Sequence, residues 1–137
     1  MSLRVFSAVA LLCLASSGAR ATPLEDAEAA LQGGDYVAAF DRLSSLALLG
    51  NGDAEYELGC LYLNGLGVAQ DTAQAVTWFI AAGNHSVTAA AATLGILYSR
   101  GLGVPEDPDL SAEWFRRAAE QSDATAMVLP SDLADQN

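Results

Sequence analysis

Residues 53–88 read DAEYELGCLYLNGLGVAQDTAQAVTWFIAAGNHSVT, and residues 89–124 read AAAATLGILYSRGLGVPEDPDLSAEWFRRAAEQSDA. At an offset of 36 residues the two stretches share Leu58/Leu94, Gly59/Gly95, Leu61/Leu97, Tyr62/Tyr98, Gly65/Gly101, Gly67/Gly103, Asp71/Asp107, Trp78/Trp114 and Phe79/Phe115. A repeat of this length is the mark of a solenoid, whose units cannot bury an apolar face alone and do so by stacking.

Each copy predicts a helical hairpin. Ala54, Leu58, Leu61 and Tyr62 fall at helical spacing on one face of a first helix. Gly65 supplies a residue free to take positive φ where that helix stops, and Leu66 can fold back onto it. Asp71 and Asp107 are N-caps for the second helix, and Pro108 suits its first position. The expected buried stripe of that helix is Ala75, Trp78, Phe79 and Ala82, repeated as Ser111, Trp114, Phe115 and Ala118. Gly59 and Gly95 stand inside the first helices, where glycine costs about 1 kcal/mol relative to alanine. The same cost at the same register implies close approach of a neighbouring helix.

The pattern L-G-x-L-Y-x-x-G-x-G-V-x-x-D followed by A-x-x-W-F-x-x-A-A resembles the Sel1-like repeat family, relatives of the tetratricopeptide repeats. The resemblance implies an all-α fold, a right-handed α-solenoid of helix-turn-helix units, and a scaffold for recognition rather than chemistry. The units expected are residues 53–88 and 89–124. Some Sel1-like proteins carry a paired cysteine bridge in every repeat; this chain lacks that pattern, so activities tied to that branch are not carried over.

Residues 22–52 read as a divergent N-terminal hairpin, with a short helix over 24–32, a break at Gly33-Gly34-Asp35 and a second helix over 36–49. This hairpin is expected to cover the neighbourhood of Trp78. Residues 125–137 read as a partial third unit: an apolar start, then Pro130 at the Leu58/Leu94 register, which breaks a helical ladder. They are expected to cap the last hydrophobic face and end in a disordered tail.

Residues 1–21 read as a signal peptide, with Arg4 before an apolar run that is short for a membrane span and an A-x-A site at Ala19-Arg20-Ala21. Cleavage is expected after Ala21, which places the chain in the periplasm or outside the cell. The formal net charge of the whole chain is −11. Without Arg4 and Arg20, four arginines face 17 carboxylates with no lysine. Such a chain is repelled by nucleic acid and by anionic membranes, and favours a neutral or basic protein partner.

Residue types that carry chemistry are scarce. Beyond the leader there is one His and one Cys, with no C-x-x-C, H-x-x-x-H or G-x-S-x-G. No catalytic residue, metal site or cofactor is expected. An extracytoplasmic hydrolase would need a nucleophile–base pair or a metal cluster that one Cys and one distant His do not provide. The repeated Gly-Leu-Gly is a turn rather than a phosphate loop, because no strand precedes it. His85 reads as an exposed loop side chain. Cys60 reads either as a small apolar residue at a helix contact, like its counterpart Ile96, or as a thiol that cross-links to a partner.

Recognition remains. The first helices present a second side, Asp53, Tyr56, Cys60, Leu63 and Asn64, whose counterparts include Ala92, Ile96, Ser99 and Arg100. These positions vary between the copies while the buried ones repeat. The resemblance implies that they line a concave groove for a partner; the competing reading is that Tyr56, Cys60 and Ile96 pack between adjacent first helices. The expected function is an exported, monomeric adaptor or regulator holding a protein or peptide partner. A self-assembling envelope protein, stacking by its end face, is the alternative.

Overall fold

Thr22, Asp35, Asn51, Asp71 and Asp107 stand at the starts of five helices, and each accepts a backbone N–H from the first turn of its helix. The computed structural model describes residues 21–126. Among them it has six helices and no strand: α1 (Pro23–Gln32), α2 (Tyr36–Leu48), α3 (Gly52–Asn64), α4 (Thr72–Asn84), α5 (Thr88–Arg100) and α6 (Pro108–Ala126). At α1 the cap is reciprocal, since Thr22 N–H donates to Glu25 Oε2 at 2.6 Å while Glu25 N–H donates to Thr22 Oγ1 at 3.2 Å. Val87, before α5, makes no side-chain cap bond.

The two clear copies turn identically. Gly65 and Gly101 end α3 and α5 at φ 66° and 62°, a left-handed conformation that glycine adopts without strain. Leu66 N–H then donates to Leu61 O, and Leu102 N–H to Leu97 O, both at 3.0 Å. Asp71 N–H reaches Tyr62 O and Asp107 N–H reaches Tyr98 O, both at 2.9 Å. Repetition of the sequence is thus repetition of backbone geometry.

Each helix packs on its neighbours in the chain. Helices α3 and α5 each pack on the second helix of their own unit and on the second helix of the unit before. Leu24 and Leu31 of α1 pack on a core cluster that includes Leu58 and Leu61 of α3, while Tyr56, Cys60 and Leu63 of α3 pack on a second cluster that includes Phe79 of α4 and Leu94 of α5. Trp78 of α4 packs on the first of these clusters, which also includes Leu43 and Ala47 of α2. A Cβ on Gly59 would come within 2.7 Å of the Phe79 ring, and one on Gly95 within 2.8 Å of Phe115. The close approach that the two mid-helix glycines imply is therefore between first and second helix of one unit. Ser111, at the register of Ala75, is buried and donates its hydroxyl to Gly95 O at 2.7 Å, which satisfies the polar group.

Three features differ from the sequence expectation. Helices α3 and α5 begin at Gly52 and Thr88, one residue before the expected units. Helix α6 runs unbroken to Ala126, across the boundary at residue 124 expected between the second unit and the partial third. The copies diverge at this point. Gly83, Asn84 and His85 give way to the better helix formers Ala119, Glu120 and Gln121. Arg116 also bridges Glu113 and Glu120 along α6, supporting it by one-turn ion pairs. Finally, Phe115 is 43% exposed although its counterpart Phe79 is fully buried. Phe79 lies beneath α5; no described helix comes after α6 to cover Phe115. The expected signal peptide and the Pro130 tail lie outside the described residues.

Candidate functional site: the outward face of the first helices

The nine residues expected on the binding face divide into two groups. Asp53, Asn64, Ile96, Ser99 and Arg100 are exposed. Tyr56, Cys60, Leu63 and Ala92 are half-buried against the core cluster built by α4, α5 and α6. The second group therefore packs inward on that core, and Tyr56, whose hydroxyl meets the Thr93 side chain of α5, lies between adjacent first helices as the competing reading had it. Ile96 does not, being 45% exposed.

These contacts are specific. The Tyr56 ring lies 5.6 Å from that of Phe79 at an interplanar angle of 46°, a tilted aromatic pair. Burial pushes the Tyr56 phenol up, and the neighbouring Cys60 adds to it. The Cys60 thiol is pushed up to about 11, by burial first and then by the Glu57 charge. A thiol in that state carries almost no thiolate at neutral pH, and thiolate is the reactive form. The geometry favours packing over cross-linking for Cys60.

At the ends of the exposed group the polar side chains are held by their own helices. Asn64 Nδ2 donates to Cys60 O at 2.9 Å and Ser99 Oγ donates to Ile96 O at 2.8 Å. Asp53 and Arg100 have no ion pair among the described residues.

Two participants escape sequence reasoning. Glu57 lies one turn beyond Asp53 on the same outward stripe and is half-buried. The i, i+4 spacing from Asp53 was the signal for it. Glu55 is buried beside Ala54 and Leu58, and its Oε2 lies 2.7 Å from Nδ1 of His85. A carboxylate at the register where the second copy has Ala91 needs a partner. The sole His of the chain, in the turn between α4 and α5, supplies it.

Elsewhere, a cavity of about 340 Å³ opens between α1 and α2, lined by Pro23, Asp26, Arg42, Ser45, Leu46 and Leu49. It lies at the N-terminal end of the stack and shares no residue with the first-helix face. Among the described residues no group of three or more His, Cys, Asp or Glu is placed to hold a metal ion. No described helix is long and apolar enough to cross a membrane.

The fold and repeat geometry have close parallels. The family model for the Sel1 repeat matches residues 52–86 and 88–123, the hairpins α3–α4 and α5–α6. A crystal structure of a Sel1 repeat protein from Oxalobacter formigenes is similar at 31% identity, with a TM-score of 0.65 over 81% of this chain and 90% of that one. The protective antigen c5321, present in uropathogenic Escherichia coli strains and displaying an SLR fold, is similar at 35% identity and a TM-score of 0.61. That match covers 63% of this chain and 18% of the antigen. No curated protein matches. Sel1 repeats are generally protein–protein interaction modules, and their fold is typically a non-catalytic scaffold. With two matched repeats on an all-α solenoid, the chain belongs to the Sel1 repeat family.

Proposed function

We propose that this protein is an exported adaptor or regulator that holds a protein or peptide partner on the outward face of its first helices. The observation that carries this reading is the pattern of difference between the copies. The core positions Ala54, Leu58, Gly59 and Leu61 and the turn glycines Gly65 and Gly67 repeat at the 36-residue offset, whereas the exposed Asp53, Asn64 and their counterparts Ala89 and Arg100 do not. A face freed from the repeat pattern is free to be shaped for a partner. Ile96, exposed between the Thr93 and Arg100 turns of α5, adds an apolar anchor to the polar positions around it. Export rests on residues 1–21, with the mature chain beginning at Thr22.

The test is partner capture from an envelope fraction on the immobilised protein, beside an Ile96→Asp/Arg100→Glu variant checked for helical content. Both side chains are exposed, so the variant is expected to fold. Loss of a captured partner with the variant supports the reading; equal capture overturns it. A second reading, end-to-end self-association, draws on Phe115 and Leu110, apolar and exposed on α6. It predicts a molecular size that grows with concentration and is restored to monomer by Phe115→Asp.

A further inference from the structure

Charge is unevenly divided between first and second helices. The first helices carry six carboxylates, Glu25, Asp26, Glu28, Asp53, Glu55 and Glu57, against one guanidinium, Arg100 at the last position of α5. The other arginines of the described residues, Arg42, Arg116 and Arg117, stand on second helices. Asp53 and Glu57 lie one turn apart on α3, and the charges of both Asp53 and Glu28 of α1 reach the Glu57 carboxyl. Burial pushes that carboxyl up and the two neighbouring charges push it further. Ion pairs among the described residues fall on Glu55–His85 and on Arg116 and Arg117; none touches Glu28, Asp53 or Glu57. Half-buried Tyr56 and Cys60 lie beside these carboxylates on α3, and Ile96 stands exposed on α5.

We propose that the α1–α3 part of the first-helix face seats a basic polypeptide segment, with a Lys or Arg between Glu28 and the Asp53/Glu57 pair and an apolar side chain further along against exposed Ile96 of the next first helix. This rests on the reading of that face as the binding surface and specifies its occupant. A cationic side chain relieves the mutual repulsion of three carboxylates drawn from two helices. Its attraction to half-buried Glu57 is screened less than an attraction to a fully exposed charge. Exposed Ile96 on the next first helix, together with the carboxylates, matches a polypeptide, which carries cationic and apolar side chains on one strand of chain. Acidic segments are repelled by the same charges.

The test is selection of a random dodecapeptide phage library on the immobilised protein, followed by affinity measurements on the enriched peptides. Peptides with two or more Lys or Arg beside an apolar residue are expected. Glu28→Gln/Glu57→Gln is expected to weaken them about tenfold, while Asp41→Asn/Glu106→Gln, which removes the same formal charge elsewhere, leaves them within about twofold. Raising ionic strength from roughly 0.05 M to 0.5 M is expected to weaken them as well, a readout independent of any variant. Enriched peptides without basic residues that are lost with Ile96→Asp/Arg100→Glu would overturn this inference and leave the first-helix face standing. Selection of nothing, or of peptides insensitive to both pairs of substitutions, would overturn both.

Discussion

The carboxylate of Glu55, 4% exposed, lies 2.7 Å from Nδ1 of His85, thirty residues later in the chain. The contact ties the first turn of α3 to the turn that joins α4 to α5. The link has no counterpart in the second copy, where Ala91 replaces the carboxylate and Gln121 the imidazole.

That asymmetry orders the effects of substitution. His85→Ala leaves a buried carboxylate without its partner and is expected to cost about 1–3 kcal/mol. Glu55→Ala removes the buried charge and installs the residue that the second copy uses, so it is expected to cost less. In urea unfolding, adding Glu55→Ala to His85→Ala should recover part of the loss. Purely additive costs would mean that the pair contributes no coupling.

The mid-helix glycines test how tightly the units are locked. Gly59→Ala drives a methyl into the ring of Phe79, which is fully buried and has nowhere to go. Overpacking of this kind costs about 1–3 kcal/mol, against roughly 1 kcal/mol regained in helix propensity. Gly95→Ala meets Phe115, which can swing toward solvent. We expect Gly59→Ala to lower the thermal midpoint and Gly95→Ala to leave it nearly unchanged. Equal effects would contradict the difference in burial between the two rings.

Deleting the rings themselves gives the same ordering. Phe79→Ala is expected to cost about 3–5 kcal/mol, as for a large aromatic deleted from a core, and Phe115→Ala clearly less. Chemical denaturation of the two variants side by side checks the order.

Cys60 gives a pH-dependent signature. Its thiol is pushed up from 9.0 to about 11 in the fold. The folded state therefore favours the neutral thiol, and this contribution is fully present below the unfolded pKa. It is lost as pH rises from about 9 to about 11. Labelling with a thiol reagent at pH 8 is expected to be slow in the native protein and fast once it is unfolded. Rapid native labelling would revive the cross-linking reading.

Much of the fold is legible in the amino-acid sequence, because its determinants recur. Gly65/Gly101 with Asp71/Asp107 mark helix ends in both copies, and Trp78 packs on the core cluster that the N-terminal hairpin shares with α3. What sequence misses has physical causes. Phe115 and Phe79 are the same residue at the same register, and their burial differs because α5 covers one and no described helix covers the other. The length of α6 turns on a Gly-Asn-His to Ala-Glu-Gln replacement that a repeat alignment passes over. The Glu55–His85 contact joins a helix start to a distant turn and belongs to neither periodicity. On the candidate face, helical spacing alone did not separate the half-buried Tyr56, Cys60, Leu63 and Ala92 from the exposed residues. Helix spacing shows which side a residue faces; how close the next helix comes decides whether that side is open.

The most direct measurement is photo-crosslinking in cells, with a benzoylphenylalanine placed singly at Asn64, Ile96, Ala73 or Ala112. The first two lie on the first-helix face and the last two on exposed positions of the second helices. We predict a discrete adduct to a partner protein from Asn64 and Ile96, and none from Ala73 or Ala112. Adducts confined to the second-helix positions would contradict the assignment of the binding face.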